Sequence, residues 1–224
     1  MMKLFYQTHS PYARKVLVMA YETGIAAQLE VIDQETSPTL RNDAVFRANP
    51  LGKVPVLLLE DGLALFDSTV ICEYLDRLHG GRPMLPADGK ARLLALRLQA
   101  LAQGIADAGI LLRWETERRP PDLRWPAQAE GQAAKLVAAY DFIEREVDLA
   151  GPVDIGQVAL ATALDWIAFR ALPPFADGRP NLARWFQAFE QRPSMLATAY
   201  SGATQDRAPD ALPALAQLLA GLVR

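Results

Sequence analysis

The chain has 224 residues, 51% of them hydrophobic and 22% charged, a balance that lets each half bury a core and excludes a disordered protein. Its 23 Lys+Arg against 26 Asp+Glu leave a net charge of −3, and nothing in that balance points to nucleic acid. No stretch approaches the roughly 18 uninterrupted apolar residues of a membrane span, and Met1-Met2-Lys3-Leu4 runs straight into a strand-like segment rather than a signal peptide, which sets the expectation of a cytoplasmic protein that engages no membrane.

Lys3-Leu4-Phe5-Tyr6 reads as a short strand. The helix after it starts with Ser10 as N-cap and Pro11 at the first helical position, where a missing N–H costs nothing. Val16, Leu17, Met19 and Ala20 supply its apolar face, and Gly24 ends it. Gln28 to Ile32 is a second strand, and a strand–helix–strand unit implies a parallel pair. Residues 38–47 read equally as helix or loop. Val56 to Leu59 and Ala64 to Phe66 flank Glu60-Asp61-Gly62-Leu63, whose Asp-Gly signals an antiparallel hairpin, and Ser68 to His79 is a helix. The order βαβ, irregular segment, ββα is that of a thioredoxin-like α/β domain with a mixed four-stranded sheet over residues 1–79.

The Gly- and Pro-rich residues 80–89 read as a linker. Residues 90–224 read as an all-α helical bundle. Its first helix runs to about Arg118 before Pro120-Pro121, and a second from Ala127 to Asp148. Asp154 and Gln157 have capping-box spacing ahead of a central helix from Val158 to Arg170. Asn181 to Gln191, a turn after Pro193 and a last helix from Pro209 to Leu222 complete it.

The informative segment is Asn49-Pro50-Leu51-Gly52-Lys53-Val54-Pro55-Val56-Leu57. Proline donates no ladder hydrogen bond, so the backbone before Pro55 is available to another extended chain. Soon after, Asp67-Ser68 opens a helix whose first N–H groups can hold a carboxylate. An edge for main-chain pairing beside an anion socket suits a small acidic peptide. Ser10 is a helix cap by spacing alone, and a hydroxyl at the positive end of a helix can also stabilise an anion. The single cysteine, Cys72, sits within a helix as a buried side chain, excludes an intrachain disulfide and suits a reducing compartment. No cysteine stands in Ser10-Pro11-Tyr12-Ala13, so dithiol exchange is excluded, and His9 and His79 are too far apart in sequence for metal-ligand spacing, so no metal is expected.

Ser10-Pro11-Tyr12-Ala13-Arg14-Lys15, the Lys53-Val54-Pro55 segment, Asp67-Ser68, and Pro180-Asn181-Leu182-Ala183-Arg184-Trp185-Phe186 followed by Gln191-Arg192-Pro193 together resemble the cytosolic glutathione S-transferase family, in particular bacterial members with a serine-type S-P-Y-x-R-K stretch. The resemblance implies a glutathione transferase that lowers the thiol pKa of its co-substrate glutathione and directs the thiolate at a small electrophile. Ser10 is then the thiolate-stabilising residue, with Tyr6 at the end of the first strand as the competing donor. Val54 pairs with the cysteinyl backbone next to a cis Pro55, Asp67 and Ser68 take the γ-glutamyl ammonium and carboxylate, and Lys53 either reaches the glycyl carboxylate or stays solvated. The electrophile lies between the domains, with His9, Tyr12, Ile105, Gly109, Leu112, Arg113 and Trp114 as candidate contacts, although core packing explains the apolar ones equally well. Arg14 and Lys15 are expected as solvated or helix-pairing charges. A homodimer follows from the family. A glutathione-dependent isomerase or dehalogenase, and a non-catalytic adaptor or ligand carrier, are the alternatives.

Overall fold

The computed structural model describes residues 1–201. The helix expected over Pro209 to Leu222 lies outside them. The first domain comprises β1 (Met2–Tyr6), α1 (Pro11–Glu22), β2 (Leu29–Asp33), α2 (Asp43–Ala48), β3 (Val56–Leu58), β4 (Ala64–Leu65) and α3 (Ser68–Leu75). The second comprises α4 (Gly89–Arg113), α5 (Pro126–Glu146), α6 (Ile155–Phe169), α7 (Pro180–Phe189) and α8 (Pro193–Ala197). The sheet order is β2-β1-β3-β4, with the parallel β1–β2 pair and the antiparallel β3–β4 hairpin expected from the sequence joined by an antiparallel β1–β3 pair.

Successive side chains of β1 point to opposite faces of the sheet, and both faces are covered. Leu4 and Tyr6 belong to a core shared with α1, α3 and α6, whereas Phe5 joins Val45 of α2, Val54 and Val56 on the other side. Fully buried side chains such as Leu4 and Leu57 each contribute on the order of 1.5–3 kcal/mol.

Helix α6 is buried on most sides, as its sequence predicts, and α4 lies close along it. Two glycines permit that approach. A Cβ on Gly156 would stand 2.7 Å from the Ala95 carbonyl oxygen, and one on Gly109 would stand 2.7 Å from Ile167 Cδ1.

Three boundaries differ from the sequence pattern. Helix α3 stops at Leu75 rather than His79, because the Asp76 carboxylate accepts hydrogen bonds from the Met84 and Leu85 amides at 2.7 and 3.0 Å and turns the chain toward the second domain. Met84 and Leu85 are themselves buried, so the joining segment is part of the core. The α-helical run of α4 ends at Arg113 and continues as a π-helical turn, Trp114–Arg118, in which Glu115 pairs with Arg119. The capping box at α6 is half formed: the Asp154 carboxylate accepts from Gln157 N at 3.0 Å, but the Gln157 amide turns to the Leu149 and Gly151 carbonyls.

Helix α1 fastens the domains together. Arg14, 1% exposed, pairs with Asp165 of α6 and donates to Thr198 Oγ1 at 3.2 Å and Met195 O at 3.0 Å. At the other end of α1, Glu22 accepts two hydrogen bonds from Arg192, at 2.8 and 2.6 Å. Among the described residues, no helix is long and apolar enough to cross a membrane.

Candidate active site

Strand register assembles the site. Phe5 is opposite Val56, so continuing the antiparallel pair sets Val54 beside Gln7, just before Ser10. Leu57 is opposite Leu65, which brings Asp67 alongside Pro55. The start of α1, the Val54-Pro55 turn and the start of α3 therefore share one end of the sheet.

Ser10 is the N-cap of α1, in extended conformation, with Pro11 at the first helical position. Its Oγ accepts from Ala13 N at 3.2 Å. Among the described residues the hydroxyl proton has no acceptor, so a donor remains at the positive end of the helix. Tyr6 packs into the core, and burial raises its pKa, with Arg14 and Thr8 opposing.

The loop before Pro55 is built by Asn49. Its side chain donates to Lys53 O at 2.9 Å and accepts from Leu51 N at 3.0 Å, while Gly52, at φ +62°, packs under the Phe46 ring and accepts from Thr36. A side chain at Gly52 would have to occupy the ring's position. The Val54–Pro55 bond is cis, Val54 lies before the first β3 residue and Lys53 is exposed.

At α3 the roles of the acidic-serine pair are the reverse of simple capping by Ser68. Asp67 is the N-cap, accepting from Thr69 N at 3.0 Å, and Ser68 is the first helical residue. The second carboxylate oxygen of Asp67 accepts from Gln103 Nε2 at 3.2 Å. Burial pushes the Asp67 pKa up, but the Thr69 amide, Gln103 and Lys15 outweigh it and hold the carboxyl below its ordinary range. Ser68 is 1% exposed and its Oγ has no hydrogen-bond partner among the described residues. A buried orphan hydroxyl at a helix start is the kind of polar atom that a ligand satisfies.

The second-substrate candidates separate. Ile105 and Leu112 lie in the core of the helical domain, and Gly109 backs onto Ile167 and Trp166, so these three face α6 and not the cleft. Arg113 is buried and pairs with Glu117. His9 is also buried, its ring stacked on Phe169 at 5.1 Å while its carbonyl accepts from Trp166 Nε1 at 2.9 Å. Tyr12 reaches α4, where its hydroxyl bonds to Asp107. The α4 residues that bond to the first domain here are thus Gln103 and Asp107, one helical step apart. Arg14 and Lys15, expected as solvated or helix-pairing charges, are both buried, and Arg14 is the helix-pairing one, bound to Asp165 of α6.

Asn49, Gln103, Asp107 and Lys15 were not singled out by sequence reasoning for these places. For Gln103 and Asp107 the available signal was two polar residues at i and i+4 interrupting an apolar helix.

The family models for the glutathione S-transferase N-terminal and C-terminal domains match residues 9–78 and 126–188. The uncharacterized GST-like protein YibF of Escherichia coli (strain K12) is 33% identical over 202 residues, covering 88% of this chain and 98% of that one. The chain belongs to the glutathione S-transferase family. A glutathione transferase family member from Pseudomonas fluorescens Pf-5, with bound glutathione, superposes with a TM-score of 0.87 at 39% identity over 90% of this chain and all of that one. A second structure of a P. fluorescens member carries bound S-(propanoic acid)-glutathione, with a TM-score of 0.82 at 40% identity over 88% of this chain and 98% of that one. Glutathione S-transferase omega-1 of Sus scrofa is 31% identical over 88% of this chain and 80% of its own length. As a glutathione S-transferase, the chain has Ser10, Val54, Asp67 and Ser68 inside the matched N-terminal model, whereas Gln103, Asp107 and Trp114 fall between the two matched segments.

Proposed function

We propose that the protein is a glutathione transferase whose first domain binds reduced glutathione and whose Ser10 hydroxyl stabilises the thiolate for attack on an electrophile. The observation that carries the reading is the meeting, at one sheet end, of two hydroxyls with unused hydrogen bonds, Ser10 and Ser68, around the cis Val54–Pro55 turn. The glutathione complexes of the P. fluorescens relatives support it.

In this reading Val54 pairs with the cysteinyl backbone. The Ser68 hydroxyl and the α3 amides hold the γ-glutamyl carboxylate, Asp67 its ammonium and Lys53 the glycyl carboxylate. A free thiol near pKa 8.5 is a few per cent thiolate at neutral pH, and each unit of lowering requires about 1.4 kcal/mol of preference for the anion. One hydrogen bond to a charged group supplies about 1.5–3 kcal/mol, so Ser10 with the α1 dipole suffices. Tyr6 is the less suited donor in this reading, since it is buried with the core of the first domain.

Tyr12 of the first domain would meet the electrophile together with Asp107 and Trp114 of the helical domain. A cytoplasmic homodimer belongs to the same proposal; Val70 of α3 and Leu93 and Leu94 of α4 are exposed apolar residues that a partner would cover, giving a solution mass twice 24.6 kDa. Ultraviolet titration of the glutathione complex tests the chemistry: the bound thiol should ionise at least one unit below the free value, and Ser10→Ala should return it toward about 8.5. An unshifted thiol in the wild-type complex would refute the role of Ser10.

A further inference from the structure

A small pocket between the domains, with a cavity volume of about 10 Å³ and partly open to solvent, is lined by Pro11, Tyr12 and Lys15 of α1, Gln103 of α4, Thr162 of α6 and alanine side chains of α4 and α6. Its polar groups can be accounted for one by one. The Tyr12 hydroxyl bonds to Asp107, the Gln103 amide joins Asp67 and Thr69, and the Thr162 hydroxyl bonds to the Val158 carbonyl of its own helix at 3.0 Å. Lys15 remains. It is 3% exposed, and among the described residues its amine makes no hydrogen bond or ion pair; Cys72 and Asp67 are the titratable groups that act on it, and Tyr12, Gln103 and alanines line the pocket with it.

We propose that Lys15 is a specificity-determining residue of the second-substrate site, binding a carboxylate on the electrophile, so that the enzyme selects acidic over neutral electrophiles. This rests on the transferase reading above. Lys15 stands five residues into α1 from Ser10, about 7.5 Å of helix rise, and helical side chains lean toward the N-terminus, which brings the amine back over the Pro11-Tyr12 turn next to the thiolate site. An electrophile whose carboxylate sits a few bonds from its reacting carbon would span that gap.

The charges around Lys15 leave this role open. Asp67 is already held by Thr69 and Gln103, and Cys72 is neutral, its thiol pushed by burial up to about 11. Burial lowers the pKa of Lys15, against weaker support from Cys72 and Asp67, and a carboxylate bound beside it would favour the ammonium.

The experiment compares 4-chloro-3-nitrobenzoate with its methyl ester. In both, the glutathione thiolate forms the S–C bond at the carbon that loses chloride; the ester lacks the remote charge and activates that carbon more strongly, a difference that the uncatalysed rate measures. With each rate referred to the uncatalysed one, wild-type kcat/KM should favour the acid by about tenfold or more, worth about 1.4 kcal/mol. Lys15→Met should raise KM for the acid by a similar factor and leave the ester unchanged, and Lys15→Arg should restore part of the preference. Binding of unreactive 3-nitrobenzoate to protein saturated with S-methylglutathione, lost in Lys15→Met, gives the same reading without turnover. Equal treatment of acid and ester, an equal loss on both in Lys15→Met, or no binding of 3-nitrobenzoate to the saturated protein would overturn the inference. Lost glutathione affinity in Lys15→Met with an unchanged acid-to-ester ratio would also overturn it, placing Lys15 in support of Asp67. Failure of wild-type protein to bind glutathione would overturn the transferase reading itself.

Discussion

Ser10 combines two roles that a sequence alone presents as competing. Its Oγ lone pair caps α1 through Ala13 N, and the proton on the same oxygen remains free for an acceptor outside the helix. Ser10→Ala should therefore lower turnover by on the order of 10²-fold, the usual effect of removing one donor to a developing anion, with glutathione affinity changed only a few-fold. Steady-state kinetics alongside direct binding separate the two, and unchanged turnover would contradict the assignment. The positions of Ser10 and Pro11 were legible because capping is local chemistry, whereas at α3 the cap falls on Asp67 rather than on Ser68. Ile105, Gly109 and Leu112 were not separable from the cleft by sequence, because periodicity identifies an apolar face without saying which neighbour it meets. On α4 that face meets α6, and the polar residues one helical step around it, Gln103 and Asp107, meet the first domain.

At the scale of elements, α1 has its N-terminus at the active site and its flank and C-terminus in the second domain. The Glu22 clasp to Arg192 and Ser194 is the part of this arrangement that pH can address. Burial pushes the Glu22 carboxyl up, but hydrogen bonds from Arg192 and Ser194 outweigh it, so the folded-state pKa lies below the ordinary 4.5. A depressed carboxylate contributes stability above its unfolded pKa and loses it as pH falls through the folded pKa. The Tm advantage of wild type over Glu22→Gln should thus be full at neutral pH and shrink below pH 4.5. Thermal unfolding across that range checks it; a difference independent of pH would contradict the clasp. The strand and helix order was readable from periodicity and turn residues, whereas the early end of α3 was not, since Asp76 is captured by Met84 and Leu85, whose amides reach it only after the chain has turned.

For the whole molecule, one hydrophobic core runs through both domains. Leu4, Met19 and Ile71 of the first pack in the same cluster as Ile155, Val158 and Phe189 of the second. The domains are therefore held in register, which keeps Gln103 against Asp67 and Tyr12 against Asp107. Domain class was legible in the order and periodicity of the elements, but this shared core was not, because the residues that form it are brought together only by long-range packing. The central claim is that one end of the sheet is a glutathione site, and isothermal titration of the protein and of the Asp67→Ala/Ser68→Ala double variant with reduced glutathione tests it most directly. Binding with a Kd between about 1 μM and 1 mM, some 4–8 kcal/mol, that is lost in the double variant is the expected result. Absence of binding by wild type at millimolar glutathione, or undiminished affinity in the variant, would contradict the account.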